Sequence, residues 1–263
     1  MAADISIDPR APLAGQGAIV TGAAGGIGRA IALLLAASGA SVAALDRDAE
    51  GLAETCAMIA GSGGEAVAHC LDLADAAAIS DAVETILPVL GRIDILVNCA
   101  GIIGQQANLL AADEAVWDQV FAVNAKAPFL LIQHVGRHIV ARGGGGRIVN
   151  ITSSSAHRAR GSLPAYGASK AALTQLTRLA AAELGPHGVN VNAVAPGLTA
   201  TRMVTDHFDA SALDAALREG PVANLLQRIS EPEDVAQTVL FLCLPASRQI
   251  TGQTIHVSAG AVV

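Results

Sequence analysis

Short β-branched apolar runs alternate along the chain with longer stretches in which apolar residues recur every third or fourth position. GAIVT (17–21), SVAAL (41–45), EAVAHC (65–70), IDILVN (93–98), GRIVNIT (146–152), VNVNAV (189–194) and QTIHVS (253–258) read as strands. They are mostly continuous in apolar residues, the pattern of parallel strands covered on both faces. Helical patterns lie between them at about 26–38, 48–61, 75–90, 113–141, 164–185 and 232–244. Strand–helix alternation with right-handed crossovers predicts an α/β fold, an open doubly wound parallel sheet of about seven strands with helices on both faces. Nothing marks a boundary, so residues 1–263 are expected to form one domain. The tetraglycine at 143–146 falls between a helix and a strand and reads as a loose turn. One segment breaks the rhythm: 200–230 is a long insertion with its own short helix around 211–219, placed where binding loops and lids occur.

Composition removes several alternatives. Apolar residues make up 52% of the chain and charged residues 15%, enough to bury a large core. Much of the apolar content is alanine, which favours helices that lie close on a sheet. Net charge is −7 with no Lys/Arg run, so a nucleic-acid surface is not expected. The first residues, MAADISIDPRAPLAGQG, lack the basic end and apolar stretch of a signal peptide. No apolar run is long enough for a membrane span. Cys56, Cys70, Cys99 and Cys243 form no CxxC pair and no zinc spacing, which fits reduced thiols in a cytoplasmic protein.

The stretch IVTGAAGGIGRAIALLL runs from strand through glycine-rich turn to helix, with Gly22, Gly26 and Gly28 spaced G-x3-G-x-G. Such a turn brings backbone close to a pyrophosphate, held at a helix N-terminus where N–H groups and the macrodipole favour negative charge. Alone it could be a tight turn with no ligand. Asp46 strengthens it, ending the second strand where a carboxylate can take both hydroxyls of an adenosine ribose. The same charge repels a 2′-phosphate and argues for NAD over NADP, although the neighbouring Arg47 could attract one. Asp72 and Asn98 end the third and fourth strands and line the carboxyl edge of the sheet.

The only tyrosine, Tyr166, stands four residues before Lys170 in PAYGASK. A free phenol ionises near pH 10 and is a poor base at neutrality. An ammonium one helical turn away stabilises the phenolate, so the tyrosine can exchange a proton with an alcohol as hydride moves to or from a nicotinamide. Ser153 lies thirteen residues upstream in RIVNITSSS and can donate to the developing alkoxide or carbonyl oxygen. Ser154 and Ser155 are neighbours, and strand alternation could put Ser155 on the same face as Ser153. Asn124 sits mid-helix, where an amide is a poor helix former, and reads equally as a buried hydrogen-bonded side chain.

These elements together resemble the short-chain dehydrogenase/reductases, over essentially residues 13–260. Matching motifs are TGAAGGIG (21–28), Asp72, NCAG (98–101), Asn124, Ser153, YGASK (166–170) and PGLTAT (196–201). The resemblance implies a Rossmann-like sheet and a tetrad. Tyr166 would be the acid/base, Lys170 would lower its pKa and hold the nicotinamide ribose, Ser153 would orient substrate, and Asn124 would support a water-borne proton relay. It further implies cofactor contacts from Gly22, Gly26, Ile27 and Gly28, from Asp46, Arg47, Asp72 and Leu73, and from Asn98, Ala100 and Gly101. Tyr166, Lys170, Pro196, Gly197, Thr199 and Thr201 complete that set. Substrate contacts are expected from Ser153, Ser155, Tyr166 and Leu198, with Ile103 and the lid residues Met203, Val204, Phe208 and Leu213 giving an apolar pocket. Two departures stand out: Cys99 replaces an asparagine, and VSAG (257–260) replaces the usual Asp-Gly-Gly ending.

His134 and His138 are four apart on one helix, but no acid follows His134 as H-E-x-x-H requires, so no metal is expected. Arg158, Arg160 and Arg202 are solvated loop charges or greet an anionic substrate. Trp117 reads as core or interface. The expected activity is NAD-dependent interconversion of a secondary alcohol and its ketone. The alternatives are an NADPH-dependent 3-oxoacyl thioester reductase and a non-catalytic dinucleotide sensor. The resemblance also implies a dimer or tetramer built on the long helix and the helix of Tyr166.

Overall fold

The computed structural model describes residues 10–159, 161–201, 204, 215–220 and 222–263. Its strands are β1 (Gly17–Thr21), β2 (Ser41–Asp46), β3 (Glu65–Cys70), β4 (Ile95–Asn98), β5 (Gly146–Ile151), β6 (Val189–Pro196) and β7 (Thr254–Val257). All pair in parallel, in the order β3-β2-β1-β4-β5-β6-β7. β1 and β4, at the centre, are buried along their whole length, whereas the edge strand β3 is partly exposed. Burial on both faces explains why the inner runs are mostly apolar rather than alternating.

Helices α1 (Gly26–Ala37) and α2 (Ala49–Gly61) cover one face with α7 (Pro232–Cys243). Their core includes Val20, Ile31, Leu35, Val97 and Val239. Helices α3 (Ala76–Leu90), α5 (Ala127–Arg142) and α6 (Pro164–Leu184) cover the other, around Ile19, Leu45, Ile79, Leu96 and Leu131. Ile19 and Val20 are adjacent in β1 and serve opposite cores, as the period of two in a strand requires. The side chains of Asp48 and Asp75 cap α2 and α3, accepting from Gly51 and from Ala77 and Ala78. The strand order reverses between β1 and β4, so a crevice opens above their carboxyl ends.

The single helix expected over 113–141 is divided. Helix α4 (Glu114–Phe121) passes into a π-helical turn, Ala122–Lys126, before α5 begins. Pro128 lies four residues after Asn124, so the Asn124 carbonyl meets a ring where an α-helix would offer an N–H. Widening the turn relieves that conflict and carries Asn124 inward, a common setting for a functional residue. In the 200–230 segment, residues 215–218 are helical. The expected lid residues Met203, Phe208 and Leu213, with Arg160 and Arg202, lie outside the described residues.

Candidate active site

A cleft of about 1450 Å³ lies over the carboxyl ends of the strands. Pockets for drug-sized ligands run to about 1,000 Å³, so this one has room for a dinucleotide and a second molecule. One end is built by the glycine turn. Gly22 has φ +72°, and a Cβ there would lie 2.9 Å from the Ala100 backbone. Gly28 packs beneath it, where a Cβ would come 2.0 Å from the Gly22 carbonyl oxygen. The chain therefore turns sharply enough to aim the start of α1 into the cleft. In contrast to α2 and α3, α1 has no side-chain cap, since its N-cap is Gly25. Its first N–H groups present a donor cradle suited to a pyrophosphate. Across the cleft, the Thr201 methyl lies 3.2 Å from where a Gly26 Cβ would stand, closing the cradle from the loop after β6.

Beside the glycine turn, Asp46 accepts from Ala24 N at 3.2 Å and from Asp48 N at 3.2 Å. These bonds hold the carboxylate in place. Arg47, Asp48, Glu50 and Glu54 line the same end. Arg29 is committed there, pairing with Glu54 at 2.6 Å and donating from Nε to Thr55 at 3.0 Å. Asp72 holds the turn after β3 by accepting from Ala74 N at 2.9 Å, and Leu73 beside it is buried on the cleft wall. Sequence reasoning had no signal for Arg29, which also donates to Ala24 O in the glycine turn and whose side-chain partners Glu54 and Thr55 lie on α2.

The other end gathers the residues with proton chemistry. Lys170 is 3% exposed, donates to Ile151 O at 2.8 Å, and has Nζ 5.9 Å from the centre of the Tyr166 ring. Burial lowers its pKa to about 8. Burial also pushes the neighbouring Cys99 thiol up to about 12, so it remains protonated at neutral pH. β5 ends at Ile151 and a 3-10 turn starts at Ser154, so strand alternation does not set the serines. Ser153 caps that turn, accepting from Ser155 N at 3.1 Å, and its own hydroxyl proton remains to donate into the cleft. Ser154 is buried and Ser155 half-buried, both on the cleft wall.

Asn124 and Asn98 do not line the cleft. Asn124 is fully buried: its Oδ1 accepts from Ile102 N at 2.9 Å, and its Nδ2 donates to Ile102 O at 2.9 Å and Ser169 Oγ at 3.0 Å. Ser169 in turn donates to Tyr166 O at 2.8 Å. The amide thus joins the Gly101 loop to the first turns of α6. Asn98 donates to Asn150 at 2.8 Å within the sheet, below the cleft. Thr21, inside the glycine motif, accepts from Cys99 N and Ala100 N at 3.0 and 3.1 Å and fixes the loop of Ala100 and Gly101. Gly101 closes on Lys170, where a Cβ would come 3.1 Å from Nζ.

Pro196, Gly197, Leu198 and Thr199 form the far wall. Ile103, Leu163, Val204 and Val222 add an apolar stretch of lining. Arg158 is not a solvated charge, for it donates to Ala223 O and Ala261 O at 3.2 and 2.8 Å. His138 accepts from Ile93 N at 3.4 Å, and the described residues contain no cluster of His, Cys, Asp and Glu able to hold a metal. Trp117 stacks on Phe121 with ring centres 4.8 Å apart. No helix among the described residues is long and apolar enough to cross a membrane.

Residues 22–262 match the family described as enoyl-(acyl carrier protein) reductase. The chain is 42% identical to the short-chain reductase protein NovJ of Streptomyces niveus, covering 92% of each chain. It superposes with TM-score 0.86 on a short chain dehydrogenase of Burkholderia cenocepacia in complex with NADP, at 37% identity over 95% of this chain and 98% of the other. A 7α-hydroxysteroid dehydrogenase complexed with NADH and 7-oxo glycochenodeoxycholic acid gives TM-score 0.88, at 34% identity over 95% of both chains.

Proposed function

We propose, from the premise that the chain belongs to the short-chain dehydrogenase/reductase family, a division of labour within the cleft. The protein is an NAD(P)-dependent oxidoreductase that moves hydride between the dinucleotide and the carbon of an alcohol or ketone. What carries the finer reading is one juxtaposition. The uncapped start of α1 and the Asp46 carboxylate stand at one end of the cleft, and Tyr166, Lys170 and Ser153 at the other.

A bound nicotinamide supplies or receives the hydride. Ser153 donates to the substrate oxygen and orients it. Tyr166 gives that oxygen a proton in reduction and removes one in oxidation. Lys170 stabilises the phenolate by its charge and holds the ribose beside it. Asn124 acts by keeping Ile102 and Ser169 in register with α6 and by supporting the proton relay.

NAD is the preferred cofactor. A 2′-phosphate would meet Asp46, Asp48, Glu50 and Glu54 against, among the described residues, the single cation Arg47, while Arg29 is already paired with Glu54. The substrate is an uncharged, largely apolar secondary alcohol or ketone, as the lining by Ile103, Leu163, Leu198 and Val222 favours. The chain is one catalytic domain with a substrate lid at 200–230, active in the cytoplasm as a dimer or tetramer. The exposed Phe129 on α5 and Leu179 on α6 support that assembly.

The test is absorbance at the NADH band, with secondary alcohols, polyols, hydroxysteroids and 3-hydroxyacyl thioesters supplied with NAD or NADP. Turnover is expected with NAD, lowered by about 10²–10⁴ in Tyr166→Phe while NADH binding persists. A wild-type kcat/KM higher with NADP than with NAD refutes the cofactor assignment.

A further inference from the structure

Three segments far apart in sequence meet at the cleft: the serine turn, the limb of residues 222–226, of which Val222 lines the wall, and behind them the tail after β7. Arg158 touches all three. Its backbone N–H donates to Ser154 O at 3.0 Å, closing the turn that Ser153 caps. Its Nη1 donates to Ala223 O in the limb at 3.2 Å and to Ala261 O in the tail at 2.8 Å. Limb and tail are joined independently. Leu226 N donates to Ala259 O at 3.1 Å, and Leu225 packs on Gly260 so closely that a Cβ there would lie 2.8 Å away. The tail also braces the cofactor loop, since Gly197 N donates to Val257 O at 2.9 Å and Gly197 rests on Ser258.

We propose that Arg158 is a positioning residue for substrate, a clamp that fastens the limb of residues 222–226 and the tail to the serine turn. A neutral side chain there leaves two carbonyls without their charged donor and frees the wall carrying Val222 to move away from Ser153. The Arg158 side chain grips the tail at Ala261, beyond the Val257–Ser258 stretch that braces Gly197. Its loss therefore weakens substrate holding and leaves hydride chemistry in place. The inference rests on the dehydrogenase reading for its kinetic consequence, though not for the fastening itself.

Hydrogen exchange tests the fastening with no substrate present. In Arg158→Met, the Leu226 and Ala261 amides should exchange about ten-fold faster or more, with the amides of α6 unchanged. Arg158→Lys, which keeps a charged donor, should stay close to wild type. Unchanged exchange at both amides overturns the clamp, as does an equal acceleration throughout α6, which would signal general loosening. Kinetics then tests the role, using the alcohol found by the cofactor assay. KM should rise about ten-fold in Arg158→Met, with kcat and the NADH dissociation constant within about two-fold of wild type. A KM that stays put, or a kcat and NADH affinity that fall with it, overturns the positioning role. Absence of turnover in wild type would refute the dehydrogenase reading, and exchange would still decide the clamp.

Discussion

Replacing Lys170 by methionine separates the cost of holding a buried ammonium from its use. The side chain is 3% exposed, donates to Ile151 O, and its pKa falls from 10.5 to about 8. At about 1.4 kcal/mol per pH unit, keeping it charged in the fold costs about 3 kcal/mol. The sign follows from proton counting. Between pH 8 and 10.5 the unfolded chain binds the lysine proton and the folded chain releases it, so this group makes stability rise with pH across that window. Below 8 both states are protonated and the full cost applies; above 10.5 neither is and the cost vanishes. Urea unfolding of the cofactor-free wild type and Lys170→Met at pH 7, 8, 9 and 10 should therefore converge on the wild type's behalf. Relative to the variant, the wild type should gain about 2–3 kcal/mol from the lowest to the highest pH. Cys99 and Cys243, both pushed up to about 12 by burial, act in the opposite direction above pH 9, but they are present in both proteins. Parallel pH profiles would refute the reasoning, because they would mean that the lysine is not desolvated in the fold.

Two further substitutions probe the scaffold of the cleft. Asn124→Ala removes three hydrogen bonds to Ile102 and Ser169 and should lower unfolding free energy by about 2–4 kcal/mol. It should also reduce kcat more than ten-fold by order of magnitude, since Ser169 and Ile102 flank the reacting groups; a stable, fully active variant would contradict the positioning role. Gly22→Ala places a methyl in a backbone region of φ +72° and 2.9 Å from Ala100. It should cost about 1–3 kcal/mol and weaken NADH binding in a fluorescence titration, and unchanged binding would show that the turn does not approach the cofactor.

The strands, the helices and the glycine turn were legible because each follows from local chemistry: burial on both faces, periodicity, and a turn with no room for a Cβ at Gly22 and Gly28. The π-turn was only half legible. Asn124 and Pro128 are four apart, a spacing that costs an α-helix one hydrogen bond and crowds its carbonyl, but nothing in the chain says how the turn widens or toward what. The serines illustrate the opposite failure. Alternation along β5 is a sound rule that stops applying at Ile151, because Ser153 caps a turn instead of continuing the strand. Asn98, expected at the cofactor, spends its amide on Asn150 because parallel register sets the two side by side.

What the sequence determined alone was the order of strands and helices, the glycine turn, the acid at the end of β2, and the Tyr166–Lys170 spacing. All depend on residues within a few positions of one another, where covalent geometry limits the choices. What tertiary structure decided was the electrostatic state of Lys170, the partners of Asn124 and the employment of Arg29 and Arg158. Each of these depends on burial or on carbonyls and side chains brought from about 20 to 103 residues away. The balance between desolvation and pairing is set only once the chain has closed around the group.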